Sequence, residues 1–111
     1  MSLVNKSEKM LDILGAVDGL NFFHLFKPAT VKAPYAVWQE DSEGQSFYAS
    51  NRKAEQVLTV TVDYFTQTEF DPMIDAIQTA FNDAEIAWRL NSFQFETETK
   101  LIHYEWICEV I

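Results

Sequence analysis

The fold is decided by VLTVTVDYF, residues 57–65, in which apolar and polar side chains alternate. Successive side chains of a strand point to opposite faces of the sheet. The even-numbered residues from Leu58 to Tyr64 therefore share an apolar face, and Thr59, Thr61 and Asp63 share a polar one. This pattern predicts a strand over residues 55–65 with one face in the core and the other wet or in contact with a partner.

Two further strands are predicted before this one. The brief apolar run Phe22–Phe26 indicates a short strand or a packed extended segment. Tyr35–Glu40 follows Pro34, which can open a strand without donating to its ladder. The polar stretch 41–54 is then expected to be an extended hairpin loop, partly disordered when the protein is alone.

A first helix is predicted near the amino terminus. Asn5 and Glu8 have the spacing of a capping box, in which the first side chain accepts from a free N–H of the first turn. Gly15 weakens the end of this helix, and Asp18-Gly19 is a turn signal that stops it. Its apolar stripe is predicted to consist of Met10, Leu11, Leu14 and Val17.

A second helix is predicted after the long strand. Asp71 is expected to be its N-cap and Pro72 its first helical residue, where the missing N–H is not needed. The apolar stripe, which should lie on the sheet, is predicted to consist of Ile74, Ile77, Phe81 and Ala84.

The remaining residues predict a terminal hairpin with one irregularity. Apolar residues are even-numbered from Ile86 to Leu90 but odd-numbered at Phe93 and Phe95, so a bulge or bend is expected near Asn91-Ser92. After the polar turn Glu96–Lys100 a regular alternation resumes. The order α-β-β-β-α-β-β predicts one α+β domain over residues 1–111, with two helices on a mainly antiparallel sheet of four to five strands.

The charge of the chain disfavours direct binding to nucleic acid. The net charge is −9, and residues 56–111 carry ten acids against two bases. Such a surface cannot neutralise phosphates, although an acidic wall can let a polyanion pass without sticking. No apolar run approaches 18 residues and no signal-like segment opens the chain, so neither membrane spanning nor secretion is expected.

Residues with catalytic or metal-binding chemistry are scarce. The single cysteine, Cys108, lies on the apolar phase of its strand, which predicts a buried structural thiol. His24 lies in an apolar run and is expected to be a packed or rim histidine and not a ligand. His103 is the best acid–base or metal candidate, because Glu105 shares its face and Glu96 or Glu98 can approach it. Ion pairs across a solvated strand face explain this set better, so no enzyme activity, metal or cofactor is predicted.

One arrangement of residues resembles a known family. Pro34–Trp38, a polar loop, the strand Val57–Phe65 and then Phe70–Ile77 look like the tail-terminator (tail-completion, minor capsid) family of long-tailed bacteriophages and their prophages. The resemblance implies an α+β subunit that forms a hexameric ring on the completed tail tube. Such a ring stops polymerisation of the tube protein and presents a surface to the head–tail connector. It would belong to the virion tail and be assembled in the cytoplasm of the bacterial host.

The resemblance also implies contact surfaces. Ring closure requires two different sticky surfaces, for which the wet face of strand 55–65 and the terminal strand 101–111 are candidates. The ring lumen, which the genome passes, is assigned to Glu69, Glu96 and Glu98. The contact of the 41–54 loop with the tube is assigned to Glu43, Gln45, Phe47, Tyr48, Arg52 and Lys53.

Three alternatives remain open at this point. A related head–tail joining or neck protein would share the same layout. A small α+β ligand-binding or enzymatic dimer would place His103 in a deep cavity. A cellular adaptor would be a stable monomer that binds a peptide by strand addition to the terminal strand.

Overall fold

The computed structural model describes residues 2–43, 48–49, 52–53 and 56–111. The described residues form an α+β fold. Their elements, in chain order, are α1 (Leu3–Gly15), β1 (Phe22–His24), β2 (Tyr35–Glu43), β3 (Tyr48–Ala49), β4 (Arg52–Lys53), β5 (Leu58–Thr66), α2 (Met73–Asp83), β6 (Ala87–Glu96) and β7 (Leu101–Val110).

Five of these strands form one sheet in the order β1-β2-β5-β7-β6. β1 runs parallel to β2, and the other neighbouring strands are antiparallel. The sheet is therefore mixed, and the predicted order of helices and strands holds for it. β3 and β4 add a separate two-stranded ribbon inside the connection from β2 to β5.

The predicted loop at 41–54 begins too early. β2 continues to Glu43, which pairs with Leu58, across a register shift between Glu40 and Ser42. Asp41 and Ser42 are polar because they are exposed near the end of β2, not because the strand has already stopped. The long strand β5 correspondingly starts at Leu58, three residues later than predicted.

Both helices lie on the face of the sheet to which the even-numbered residues of β5 point. Leu58, Val60, Val62 and Tyr64 are all buried there, as predicted. The neighbouring strands complete this layer with buried aromatic and aliphatic side chains, notably Trp38, Trp106 and Val110. The opposite face carries the odd-numbered residues and has no helix on it among the described residues.

The first helix differs from its prediction at two points. Its N-cap is Ser2, whose hydroxyl accepts from the Asn5 N–H at 3.1 Å, so the proposed Asn5 cap was wrong. Leu11 is 45% exposed, and Ile13 is buried in its place. Met10, Ile13, Leu14 and Val17 follow the i, i+3, i+4, i+7 spacing of one helical face, from which Leu11 is rotated away.

The second helix agrees with its predicted apolar stripe but begins one residue later than predicted. Met73 is its first residue and Pro72 occupies the N-cap position, so the predicted places of Asp71 and Pro72 were wrong by one residue. Asp71 Oδ1 still accepts from the Met73 N–H at 2.9 Å and so satisfies one free N–H of the first turn. Ile77 and Phe81 are fully buried, and Ile74 and Ala84 pack at the edge of the core. Neither helix combines the length and the apolar character that crossing a bilayer requires, as judged over the described residues.

Candidate functional site

The terminal hairpin β6–β7 carries both surfaces that have functional potential. β7 lies between β5 and β6, so the prediction that residues 101–111 offer a free edge was wrong. The outer strand is β6, ten residues long, and no other described strand pairs with its outer edge. An unpaired edge of this length is a template for pairing with another chain.

The predicted bulge lies at Asn91. Leu90 pairs with Trp106 and Ser92 pairs with Glu105, so Asn91 is the extra residue on β6. One extra residue reverses the alternation of side chains. The bulge therefore keeps Phe93 and Phe95 on the same face of the sheet as Trp88 and Leu90, the face that bears the helices.

The first half of the hairpin is covered by α2. Trp106 Nε1 donates to Gln78 Oε1 at 3.0 Å, and Trp88 Nε1 donates to Asn82 Oδ1 at 2.8 Å. The ring of Phe81 lies 5.8 Å from that of Trp88 and 6.0 Å from that of Trp106, measured between centroids. Both tryptophans therefore satisfy their polar atoms on the helix while their rings remain in the core.

The second half of the hairpin is uncovered. Phe93 is 62% exposed and Phe95 is 58% exposed, although both belong to the apolar phase of β6. Together with Phe70, Ile102 and Tyr104 they line a groove of about 790 Å³, here called the aromatic groove. Contiguous exposed apolar surface of this kind marks binding sites in soluble proteins.

Phe70 is the most exposed residue of this groove. It is 89% exposed and has a φ of 58°, in the left-handed region that bulky side chains rarely adopt. The following residue, Asp71, fixes this geometry by accepting from Tyr64 at 2.7 Å, from Thr66 at 2.8 Å and from the start of α2. A strained aromatic residue held outward is typical of functional sites.

A second cluster lies on the opposite face of the sheet. His103 Nε2 lies 2.7 Å from Asp63 Oδ1, and His103 Nδ1 lies 3.3 Å from Glu96 Oε2 without the alignment of a hydrogen bond. Glu105 completes the cluster, because its ligating oxygen lies within 4.8 Å of the ligating atoms of Asp63 and His103. We call these four residues the histidine–carboxylate cluster.

The environment of Asp63 is electrostatically unfavourable for a charged carboxylate. Burial raises the pKa of Asp63. The hydrogen bond and charge of His103 lower this pKa, whereas the neighbouring Glu105 raises it further, and the net result is a raised pKa. The approach of Glu96 to His103 was predicted, whereas Asp63 was not. Asp63 and His103 lie 40 residues apart, and only the register of β5 against β7 brings them together.

The other chemistry-bearing residues occupy structural positions. Cys108 is fully buried, and burial raises the pKa of its thiol to about 12. His24 stacks on Trp38 with ring centroids 4.0 Å apart, and its Nε2 lies 2.6 Å from Glu40 Oε1. Cys108 is therefore the buried thiol that the sequence predicts, whereas His24, whose side chain is 41% exposed, lies at the rim and not in the core.

The predicted contact residues are placed only in part. Gln45 and Phe47 lie outside the described residues, and Glu43 ends β2. Backbone pairing joins Tyr48 to Lys53 and Ala49 to Arg52 in the β3–β4 ribbon.

The three predicted lumen acids differ in their surroundings. Glu69 lines the aromatic groove, and Glu98 is exposed in the hairpin turn. Glu96 instead reaches towards His103 on the opposite face of the sheet. Their role in a lumen stays a prediction.

The alternative of a ligand-binding dimer requires a deep cavity at His103, and the described residues line three concavities that bear on it. One lies between the helices beside Ile13 and Ala80, one is the aromatic groove, and one is a shallow depression beside Trp88. His103 lines none of the three. No protein-family model matches this chain, and no curated protein matches it either.

Proposed function

We propose that this chain is a structural subunit of a bacteriophage or prophage tail that works by docking to copies of itself and to neighbouring proteins. The observation that carries the proposal is the uncovered half of the terminal hairpin, where an open strand edge lies beside the aromatic groove. Aromatic side chains are enriched in the cores of protein interfaces, where burial of their large surface stabilises the contact.

A ring is the assembly that this asymmetric surface favours. The aromatic groove lies beside the open edge of β6, because Phe93 and Phe95 of that strand line it. One subunit can therefore dock this combined surface onto a different surface of the next subunit. A heterologous contact of this kind closes into a ring when the rotation between subunits permits it. The proposed stoichiometry of six subunits and the proposed position at the end of the tail tube come from the resemblance to tail terminators.

The proposed activity of the ring is to cap the tube. It stops polymerisation of the tube protein and joins the tail to the head–tail connector. The acidic excess of residues 56–111 suits a channel that DNA crosses without binding. Among the predicted lumen acids, Glu69 and Glu98 are exposed, as this role requires.

Tube length in a polymerisation assay tests the capping function. Tube protein polymerised with the wild-type chain should give tubes of defined length, measured by negative-stain electron microscopy. Phe47→Ala combined with Tyr48→Ala should leave the fold unaltered and give overlong tubes. Tubes of normal length with this variant would refute the tube contact assigned to the 41–54 loop.

The ring contact requires a separate variant and a matched control. Phe93→Ser with Phe95→Ser should abolish capping, because it removes the aromatic surface beside the β6 edge. Leu25→Ser with Phe26→Ser removes two exposed apolar residues elsewhere, which are 55% and 72% exposed, and should leave capping intact. Equal capping by both variants would contradict the assignment of the groove.

A further inference from the structure

We propose that Asp63, His103 and Glu105 form a binding site for a divalent transition-metal ion, for which Zn²⁺ is the representative. The site lies on the face of the sheet opposite the helices, and the ion would join β5 to β7. This role is structural and is independent of ring assembly.

The backbone places the three side chains on one face of two neighbouring strands. Asp63 pairs directly with Glu105, and Phe65 pairs with His103, so the three groups occupy adjacent positions of one ladder. His103 and Glu105 are two residues apart in β7 and therefore point the same way. Sites built on strands hold their geometry more accurately than sites built on loops.

The distances suit one ion. The three ligating atoms lie within 4.8 Å of one another, and His103 Nε2 lies only 2.7 Å from Asp63 Oδ1. Zinc bonds to nitrogen and carboxylate oxygen are about 2.0–2.2 Å long, so an ion would replace the hydrogen bond between His103 and Asp63 and draw the three ligating atoms around itself. Three protein ligands leave a fourth position for water or for a group from another molecule.

The chemistry of the ligands selects the kind of ion. Imidazole suits zinc and other first-row transition metals, whereas magnesium and calcium prefer oxygen ligands alone. One nitrogen and two carboxylate oxygens therefore favour a transition metal.

The surroundings of His103 orient its ring towards this position. Phe65 stacks on the imidazole with ring centroids 4.2 Å apart, and the side chain of His103 is only 15% exposed. Nδ1 faces Glu96 on the other side of the ring, at 3.3 Å. This contact lacks the alignment of a hydrogen bond, so Glu96 acts on the ring through its charge, and the stacking of Phe65 is what holds the direction of the ring.

The cluster also gathers negative charge that a cation would balance. Three carboxylates surround one imidazole, and within the described residues no Lys or Arg nitrogen lies within 4.0 Å of these carboxylates. The nearby Arg89 instead donates to Asn91 Oδ1 at 2.6 Å, and Asn91 donates to Glu105 Oε1 at 2.7 Å. A divalent ion would offset this charge without another basic residue.

Titration of the purified chain with Zn²⁺ tests the site, with calorimetry for stoichiometry and thermal melting for the effect on stability. The wild-type chain should bind one ion and melt at a higher temperature when it is loaded. His103→Gln and Glu105→Gln should both lose this binding. Glu96→Gln should retain binding and weaken it less than these two variants do, because it removes a neighbouring negative charge but no ligand and no hydrogen bond.

The second histidine of the chain supplies the control. His24→Gln disrupts a pair of similar geometry, His24 with Glu40 at 2.6 Å, which contains only one carboxylate. It should bind Zn²⁺ as the wild type does. Circular dichroism of each variant establishes whether it is folded. If His103→Gln unfolds, Glu105→Gln still tests the site, because it alters a partly exposed side chain.

Cobalt provides a second readout that does not depend on stability. Co²⁺ at this site should give the visible absorption of a low-coordinate nitrogen and oxygen environment in the wild type and in His24→Gln, but not in Glu105→Gln. The proposal is overturned if the wild-type chain binds no ion, if Glu105→Gln binds as well as the wild type, or if His24→Gln loses binding.

Discussion

The two halves of the β6–β7 hairpin carry similar side chains on the same face but meet different surroundings. Before the bulge, Trp88 and Trp106 donate hydrogen bonds to α2, Trp106 and Cys108 are fully buried, and Leu90, next to the bulge, is 44% exposed. Beyond the bulge, Phe93 and Phe95 continue the apolar phase and are mostly exposed. The difference arises from coverage and not from sequence pattern.

Element length explains why coverage stops. α2 has 11 residues and each strand of the hairpin has 10. A helix rises about 1.5 Å per residue and a strand about 3.3 Å, so α2 is roughly 16 Å long, each hairpin strand is roughly 33 Å long, and the helix is too short to cover the hairpin from end to end. The apolar surface beyond the helix is therefore available to a partner, and this is the physical basis of the proposed docking.

The largest expected effect is on the covered half. Trp106→Ala should lower the free energy of unfolding by about 3–5 kcal/mol, because it leaves a cavity beside Phe81 and Gln78 without its hydrogen-bond donor. Urea denaturation followed by circular dichroism measures this. Phe93→Ala is the matched change in the uncovered half and should shift the free energy by less than about 0.5 kcal/mol. Similar losses in the two variants would remove the distinction between the halves.

An intermediate effect is expected at Asp71, whose carboxylate accepts from the Met73 N–H at the start of α2. Asp71→Asn should destabilise the fold by about 1 kcal/mol at pH 7, because an amide nitrogen cannot accept the hydrogen bonds of Tyr64 and Thr66. Partial burial alone would raise the pKa of Asp71, but hydrogen bonds from Met73, Tyr64 and Thr66 lower it below its ordinary value.

The pH dependence of this effect follows from the lowered pKa. The contribution of Asp71 is complete above its unfolded pKa of about 3.9 and is lost as the pH falls through the folded value. The stability difference between wild type and Asp71→Asn should therefore shrink between pH 5 and pH 2. Asp83→Asn, at the other end of α2, should show no loss at pH 7, since an acid there opposes the helix dipole. A difference for Asp71→Asn that stays constant with pH would contradict the capping role.

A smaller effect on stability is expected at Phe70, where a substitution should weaken self-association without destabilising the fold. Phe70→Gly relieves a φ of 58°, so the free energy of unfolding should stay equal or rise by up to about 1 kcal/mol. The same variant should weaken self-association, because it removes an exposed wall of the aromatic groove. Leu25→Gly, at a φ of 76°, is the control: it should match the stability effect and leave association unchanged. A marked loss of stability in Phe70→Gly would show that its side chain belongs to the core.

The smallest effect on the fold is expected from the exposed acids of the uncovered end. Glu69→Lys with Glu98→Lys should leave stability within about 0.5 kcal/mol and slow DNA ejection from assembled particles. Glu96→Lys belongs in a separate variant, because Glu96 lies 3.3 Å from His103. Ejection at the normal rate would remove the lumen assignment of Glu69 and Glu98.

Local patterns predicted much of the fold. The alternation of β5, the stripe of α2 and the bulge at Asn91 each depend on residues close in sequence, and each is confirmed. The start of α2 was predicted to within one residue. The parallel pairing of β1 with β2 and the interior place of β7 depend on how distant strands associate, which one sequence does not reveal.

The candidate sites were predicted less completely for the same reason. Glu96 was paired with His103 because one hairpin connects them, whereas Asp63 comes from a strand 40 residues away. The exposure of Phe93 and Phe95 depends on the reach of α2, and the alternation of apolar residues in β6 does not reveal where a helix ends above it. The sequence did indicate that Asp63 lies on the polar face of β5, together with Thr59 and Thr61, but not which residue of another strand lies beside it.

The mass of the chain in solution tests the docking claim most directly. Sedimentation velocity at low and high concentration, repeated with tube protein, should show wild-type chain associating into a closed ring, either alone or on the tube. Phe93→Ser with Phe95→Ser should remain a folded monomer under all of these conditions. A wild-type chain that stays monomeric throughout, or a double variant that associates as the wild type does, would contradict the account.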